Sequence, residues 1–307
     1  MNISKPILVT GSHRSGTTWV GRMLASSPSV GYIHEPFNLT HRPGICTAKF
    51  PYWFTYITEE NEAPYYQALK NTLAYRFSIR AEIPAIQSFR HVGRMLKNYK
   101  NCSLYRFHHA VPLMKDPIAL FSSEWLAQRF DMNVIILIRH PAAFTSSLRR
   151  LNWTHNFSHF LNQPLLMRDY LAPFETEIRA FAQTEHDILE QATLLWRIIH
   201  HLILRYQEKH KDWIFLRHED ISADPLHHFE YLYKRMDLPF TDKAKQVIED
   251  YSSEDNPTEA PKGHTLVKRN SKSNIKSWRK KFTEAELAHL RTEVEEISHK
   301  FYSDADW

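Results

Sequence analysis

Apolar residues along the chain are concentrated in five short runs, which are separated by longer segments of mixed polarity. These runs cover residues 6–10, 30–34, 110–114, 133–138 and 213–216. Continuous apolar runs of this length are typical of strands that are buried on both faces. Several of the separating segments have helical periodicity, so the pattern predicts an α/β fold. Its centre is expected to be a mostly parallel five-stranded sheet with helices on its flanks.

Apolar positions spaced three and four residues apart predict the main helices. The clearest of these segments are residues 17–26, 122–130 and 186–208. In the last of them, Leu195, Ile199 and Leu202 share one face. A final helix is expected to begin at Thr283, because Thr283 and Glu286 have the spacing of a capping box.

Composition places the chain among globular proteins. Of its 307 residues, 43% are apolar and 13% are aromatic, which excludes a disordered or collagen-like chain. Two cysteines cannot form a disulfide framework or a cysteine-rich zinc module. No apolar run approaches the roughly 18 residues of a membrane span, and the first residues lack a signal-peptide pattern. We therefore expect a single domain, located in the cytoplasm and without a transmembrane segment.

Positive charge is concentrated in one segment near the C-terminus. Residues 262–281 contain eight Lys and Arg side chains and no carboxylate, whereas the chain as a whole has a net charge of only +5. A cationic segment on a body that is otherwise slightly acidic indicates one anion site and not a nucleic-acid-binding surface. A solvated basic loop is the alternative interpretation.

Aromatic residues are enriched between residues 50 and 107, where they occupy 13 of 58 positions. The periodicity of this stretch is weak, and prolines are scattered through it. We expect a helical, aromatic-rich insertion at about residues 45–109, whose rings could line a wall for an acceptor. Ordinary packing of these rings is the alternative.

A loop with two glycines lies between the first predicted strand and the first predicted helix. It reads GSHRSGTT from Gly11 to Thr18. In this context, backbone N–H groups and a helix N-terminus bind phosphate oxygens. A nucleoside triphosphatase has a lysine where this chain has Thr17. The loop therefore predicts an anion site in which Arg14 is the cation. Arg14 would lie near the 5′ end of a bound nucleotide and not at the terminal phosphate, which the triphosphatase lysine reaches.

Two motifs resemble those of the sulfotransferases that use 3′-phosphoadenosine 5′-phosphosulfate (PAPS). The first resembles the family's 5′-phosphosulfate loop and consists of Arg14, Ser15, Gly16, Thr17, Thr18 and Trp19. The second is a strand that ends in an arginine, followed eight residues later by a serine in the next helix. In this chain these residues are Arg139 and Ser147, which the resemblance assigns to the donor's 3′-phosphate. The two motifs together imply a P-loop NTPase-like sulfotransferase fold.

Two weaker resemblances extend the predicted donor site. Residues 215–220 read FLRHED and resemble a family strand that ends in Y-E-D-L, with His218 in place of the tyrosine near the adenine. A surface histidine is the alternative interpretation. The basic segment before Trp278 resembles the family's flap, which would cover residues 262–281, although the family's R-K-G triplet is missing. The candidates for flap contacts to the 3′-phosphate are Arg269, Ser271 and Lys272.

The resemblance also implies which residues carry the chemistry. Cytosolic members have a lysine at the end of a central strand and a histidine two residues later; this chain has Lys115 but Pro117. Lys115 is expected to stabilise the bridging oxygen of the leaving group, unless it only pairs with Asp116.

The general base must then come from another strand end. His34-Glu35-Pro36 resembles the E-P motif of the carbohydrate and bacterial branches, in which the glutamate is the base. Glu35 is therefore the expected base and His34 its nearest rival. His108 and His109 are more distant candidates, and a Glu35 that is simply paired with a local cation is the structural alternative.

These features predict a PAPS-dependent sulfotransferase that transfers a sulfuryl group to an acceptor hydroxyl. A sugar, a glycolipid or another small molecule is the expected acceptor. No metal is expected, because a sulfuryl group carries less charge than a phosphoryl group. The main alternative is a P-loop small-molecule kinase that uses ATP and magnesium, with Asp116 as the magnesium ligand. A non-catalytic nucleotide-binding protein is a third possibility.

Overall fold

A computed structural model describes residues 5–258 and 268–307. Its strands are β1 Ile7–Gly11, β2 Val30–His34, β3 Val111–Lys115, β4 Asn133–Ile138 and β5 Ile214–Arg217. They form one sheet in the order β2-β3-β1-β4-β5, and β3 is parallel to both β1 and β2. The prediction of an α/β fold with a central parallel sheet and flanking helices is confirmed.

Contacts divide the described residues into two compact units. The first unit contains residues 5–10, 17–135 and 231–244, and the second contains residues 11–16, 136–230, 245–258 and 268–307. The single domain, its insertion at about 45–109 and its flap at 262–281 stay predictions. Residues 262–267 of that flap, including Lys262, lie outside the described residues.

The first unit contains the helices α1 Thr17–Leu24, α2 Tyr66–Leu73, α3 Ile79–Glu82, α4 Phe89–Phe107 and α5 Ser123–Phe130. Helix α1 packs on β2 and β3, and α4 packs on β2. Val20, Met23 and Leu24 form one buried face of α1, which is the amphipathic pattern of a helix packed against a sheet. The segment predicted to be aromatic-rich and helical contains α2, α3 and α4.

The second unit is mainly helical. Its helices are α6 Pro141–Leu151, α7 Ser158–Leu161, α8 Pro164–Leu166, α9 Glu175–Gln183, α10 Ile188–Lys209, α11 His218–Ala223, α14 Ser271–Asn274 and α15 Glu284–Ser298. The helices α12 Pro225–Arg235 and α13 Asp242–Ser252 have residues in both units. The buried face of α10 includes Leu195, Ile199 and Leu202, and it contacts α6 and α15. The capping box predicted for the last helix is confirmed, since Thr283 and Glu286 bond reciprocally.

Three of the strands begin and end one residue later than the predicted runs. β1, β3 and β5 extend to Gly11, Lys115 and Arg217. Backbone pairing explains the extension of β3, because Val9 and His34 on its two neighbours are both in register with Lys115. β3 therefore includes a charged residue, Lys115, that the apolar run used to predict this strand does not contain.

Candidate active site

The loop after β1 turns through three residues with left-handed backbone. Gly11, Arg14 and Gly16 have φ angles of 130°, 66° and 91°. Within the turn, the Ser15 amide donates to the Ser12 carbonyl oxygen at 3.2 Å, and the Ser15 hydroxyl donates to the same oxygen at 2.5 Å. A left-handed arginine costs about 1 kcal/mol or more, a cost that is common where a side chain has to be aimed at a ligand.

Both glycines are required by close approaches within the second unit. A Cβ on Gly11 would overlap the backbone of Leu137, and a Cβ on Gly16 would lie 2.6 Å from the His218 Nδ1. The loop is therefore held against β4 and the start of α11 without room for side chains at these positions. Thr17 and Thr18 follow directly as the first two residues of α1, and Trp19 is buried.

We expect Gly11→Ala to lower the free energy of unfolding by at least about 2 kcal/mol, because its Cβ meets backbone that cannot rotate away. Gly93→Ala is the matched control. A Cβ there meets nothing within 4 Å, and the position is inside α4, so this variant should gain about 0.5–1 kcal/mol. Urea unfolding measures both, and equal midpoints for the two variants would contradict the prediction.

Three residues predicted to contact the donor's phosphates lie together in the second unit. Arg139 follows β4, and one of its guanidinium nitrogens donates to the Arg14 carbonyl oxygen. The Arg14 Nε donates to the Ser147 hydroxyl at 3.0 Å, with Ser147 in the second turn of α6. Trp196 fixes the backbone of Arg139 by donating its indole N–H to the Arg139 carbonyl oxygen at 2.9 Å.

Arg14 and Arg139 form part of a buried cationic cluster. Burial and, to a smaller extent, the nearby positive charges of Arg150 and Arg269 lower the pKa of each guanidinium to about 10, and the Glu219 carboxylate opposes this shift at Arg139. Among the described residues, no carboxylate lies within ion-pair distance of Arg14 or Arg139. Buried charges are normally paired, so this cluster indicates a site for an anionic ligand.

A pocket opens beside Ser147 and the arginines. Its lining residues are Arg139, Ala143, Ser146, Ser147, Arg150, Arg269, Asn274, Ser277, Trp278 and Lys281. Arg150 was not predicted from the sequence, although it is three residues after Ser147 on the same helix, a spacing that places both on one face. Lys281 belongs to the predicted flap but was not among its candidate contacts.

The three candidates from the basic segment have different surroundings. Arg269 lines the pocket. The Ser271 hydroxyl donates to the Ser252 carbonyl oxygen at 3.3 Å, and Lys272 is exposed and pairs with Glu254 at 3.3 Å. The pocket thus includes Arg269, whereas Ser271 and Lys272 do not line it.

His218 is buried at the start of α11, next to Gly16. Burial, with Arg139 and Arg269 nearby, holds the pKa of His218 well below its usual range, so its imidazole is neutral at pH 7. The next residue, Glu219, accepts from the His140 amide at 3.1 Å and from the Tyr302 hydroxyl at 3.0 Å. A neutral imidazole beside the loop is suited to contact an uncharged ring or a hydroxyl.

In the first unit, Glu35 and Lys115 form an ion pair. Lys115 is the last residue of β3, and Glu35 directly follows β2, where its φ of 43° turns the chain. The Glu35 amide donates to the Lys115 carbonyl oxygen at 2.9 Å, and the Asn38 side-chain amide donates to the Glu35 Oε2 at 3.0 Å. The Lys115 side chain is fully buried, whereas that of Glu35 is 20% exposed, so of the two side chains only that of Glu35 is partly accessible.

Charge and burial oppose one another at this pair. Burial works to raise the pKa of Glu35, but the Lys115 ammonium and its hydrogen bond hold that pKa below the usual range. Burial lowers the pKa of Lys115, and Glu35 opposes that shift. Partial burial and the charge of Lys115 lower the pKa of His34 to about 4. At neutral pH, Glu35 is therefore ionised and His34 is neutral.

The other candidates of the first unit are placed differently. Asp116 is fully buried, and its two oxygens accept from the amides of Phe37 at 2.7 Å and Ile118 at 3.0 Å. Burial raises the pKa of Asp116 to about 7, which suits a structural link between two loops and not a magnesium ligand. His108 and His109 are exposed residues that follow α4.

The family model described as "Sulfotransferase family" matches residues 6–242. The chain belongs to the sulfotransferase family and is a sulfotransferase enzyme. A comparison with curated proteins gave no match. Within the described residues, no helix has the length and apolar character that crossing a membrane requires.

Solved structures with a similar fold include three sulfotransferases. The sulfotransferase domain from the curacin biosynthetic pathway has 14% identity and a TM-score of 0.47, over 96% of this chain and 99% of that chain. Sulfotransferase STF9 from Mycobacterium avium has 15% identity and a TM-score of 0.47, over 98% of this chain and 78% of that chain. Mouse sulfotransferase SULT7A1 complexed with PAP has 11% identity and a TM-score of 0.46, over 99% of this chain and 87% of that chain.

Proposed function

We propose that this sulfotransferase takes its sulfuryl group from PAPS and transfers it to a hydroxyl of a sugar, a glycolipid or another small molecule. The observation that carries the proposal is the buried cationic cluster of Arg14 and Arg139 beside Ser147. A loop of phosphate-binding type that has Thr17 in place of the triphosphatase lysine supports the same donor.

The second unit supplies the residues for the donor's phosphates. In this proposal the loop amides and Arg14 bind the 5′-phosphosulfate, as expected of backbone N–H groups before a helix. Arg139 and Ser147 bind the 3′-phosphate, with Arg269 as the third contact. A planar guanidinium forms two parallel hydrogen bonds with phosphate oxygens, which explains why arginines dominate the pocket.

The first unit supplies the proton acceptor and the cation for the leaving group. The Glu35 carboxylate accepts the proton of the acceptor hydroxyl, and the hydroxyl oxygen forms a bond to sulfur. The bond between sulfur and the bridging oxygen breaks, and its electron pair stays on the 5′-phosphate, where the Lys115 ammonium stabilises the charge. The products are a sulfate ester and adenosine 3′,5′-bisphosphate, and no metal takes part.

The ion pair between Lys115 and Glu35 affects how strong a base Glu35 is during this reaction. A carboxylate that is bound to an ammonium is a weaker base than a free one, because the cation stabilises its ionised form. In the proposed reaction, the leaving group competes with Glu35 for Lys115. Glu35 therefore becomes more basic at the stage at which it has to accept a proton.

Nucleotide protection tests the donor assignment. We expect adenosine 3′,5′-bisphosphate to raise the melting temperature without added metal, since saturation at about 100 times Kd contributes about 2.7 kcal/mol. ATP with magnesium should give little shift, and adenosine 5′-phosphosulfate, which lacks the 3′-phosphate, should stabilise less than the bisphosphate. Stronger protection by ATP with magnesium would favour the kinase instead.

The acceptor is tested by turnover with labelled PAPS. Simple sugars, glycolipids and phenols would be offered in parallel, and each product would be identified by its gain in mass.

We also propose a cytoplasmic location, with which the free thiols of Cys46 and Cys102 are compatible.

A further inference from the structure

Helix α4 exposes an unusual amount of apolar surface. It is 19 residues long, and none of its residues is buried. Among the described residues, twelve large apolar side chains are exposed, and seven of these belong to residues 79–107. The seven are Ile79, Ile83, Phe89, Leu96, Tyr99, Leu104 and Phe107. Single exposed apolar residues are ordinary, but a concentration of them marks an interaction surface.

The most exposed apolar side chains of α4 lie on the side of the helix that faces away from the rest of the first unit. Phe89, Leu96 and Phe107 repeat at helical spacing, and Phe89 and Phe107 are separated by five full turns. These two rings are 96% and 77% exposed. The opposite side of the helix packs inward, where the Tyr105 ring lies 5.1 Å from that of Tyr75. Packing within the unit therefore does not account for the outer face.

The same helix is strongly cationic. It contains five Lys and Arg residues and no carboxylate; these are Arg90, Arg94, Lys97, Lys100 and Arg106. All five are exposed. The only carboxylate between residues 79 and 109 is Glu82, which is buried and paired with Arg42. No neighbouring acid on this stretch thus neutralises the outer face.

We propose that α4 docks the protein on the surface of an anionic lipid bilayer. Its rings and leucines would enter the boundary between headgroups and acyl chains, and its Lys and Arg side chains would contact lipid phosphates. An amphipathic helix with bulky apolar residues on one face and basic residues around it binds membranes in this way. A second copy of the chain is the weaker occupant, because two such helices would bring ten positive charges together.

This surface contains none of the residues assigned to catalysis. Its consequence for the substrate rests on the function proposed above: a docked enzyme would meet acceptor hydroxyls carried by lipid headgroups. The docking itself requires neither donor nor turnover, so its test is independent of the proposed reaction.

Vesicle flotation with the full chain tests the proposal. We expect binding to vesicles of equal parts phosphatidylglycerol and phosphatidylcholine, and at least tenfold weaker binding to pure phosphatidylcholine or in 0.5 M salt, since salt screens surface charge. Phe89→Ser combined with Phe107→Ser should weaken binding to the anionic vesicles at least tenfold. Lys97→Gln combined with Lys100→Gln should weaken it about tenfold.

Matched controls come from exposed positions on α12 and α13. Leu226→Ser combined with Tyr231→Ser removes two apolar side chains that are also exposed, at 37% and 41%, and Lys234→Gln combined with Lys243→Gln removes two exposed charges. Both control variants should bind as the unaltered protein does, and melting temperatures confirm that all four variants fold. Failure of the unaltered protein to bind anionic vesicles, an equal loss in the controls, or self-association through α4 in sedimentation without lipid would overturn the proposal.

Discussion

Replacing Glu35 with glutamine should reduce turnover by about 10²–10⁴-fold, the usual contribution of a general base. Glutamine preserves the size of the side chain, but it has one acceptor oxygen for the two donors Asn38 and Lys115, and it cannot accept the proton of the acceptor hydroxyl. The affinity for adenosine 3′,5′-bisphosphate should change by no more than a few-fold. Turnover with saturating PAPS and calorimetric binding of the bisphosphate measure the two quantities.

His34→Gln is the matched control for this experiment. His34 is the last residue of β2 and immediately precedes Glu35, whose φ of 43° turns the chain out of the strand. Because its pKa is lowered to about 4, His34 is neutral at pH 7 and could in principle accept a proton. Near-normal turnover of Glu35→Gln together with inactive His34→Gln would make the histidine the base. The choice of Glu35, which depends on the resemblance to the E-P branch, would then be wrong.

Much of the site could be predicted because it lies at the ends of strands. Gly11, Glu35, Lys115 and Arg139 are each the last residue of a strand or the first residue after one. Apolar runs locate strands well, and the polar residue that ends each run is visible in the sequence. Short-range motifs such as the glycine loop therefore identify candidate residues before any contact is known.

Partners that are distant in the chain could not be predicted in the same way. The sequence leaves open whether Lys115 pairs with its neighbour Asp116 or with another acid. The structure pairs it with Glu35, 80 positions away, because the register of β2 on β3 places His34 beside Lys115. Asp116 instead has both oxygens occupied by backbone amides. Register depends on long-range packing and is not readable from either strand alone.

The contribution of the basic segment shows a similar limit. Like charges within a few residues of each other are indistinguishable in the sequence, yet Arg269 lines the pocket whereas Lys272 pairs with Glu254. Arg269 precedes α14, whereas Lys272 lies within it, and a helix directs its successive side chains to different sides. Aromatic residues follow the same rule in α4, where Tyr105 packs inward and Phe107 is exposed.

Replacing Arg139 with alanine should weaken binding of adenosine 3′,5′-bisphosphate by about 10–100-fold, since a hydrogen bond to a charged group contributes about 1.5–3 kcal/mol. Arg139 is buried and also holds the Arg14 carbonyl oxygen, so its loss should loosen the loop as well. Ser147→Ala removes an uncharged hydroxyl that accepts from Arg14 and should cost about fivefold, or roughly 1 kcal/mol. Isothermal titration calorimetry measures both affinities.

A nucleotide without the 3′-phosphate shows whether these losses occur at the assigned position. Ser147→Ala should weaken binding of adenosine 5′-monophosphate less than it weakens binding of the bisphosphate, because the serine is assigned to the missing group and affects the 5′ site only through its bond from Arg14. Arg179→Ala is the control for removing an arginine, since Arg179 is exposed and pairs with Glu175 on α9; it should leave both affinities unchanged. If Arg139→Ala and Ser147→Ala bind the bisphosphate as tightly as the unaltered protein does, the 3′-phosphate is bound elsewhere. The assignment made from the spacing of Arg139 and Ser147 would then be wrong.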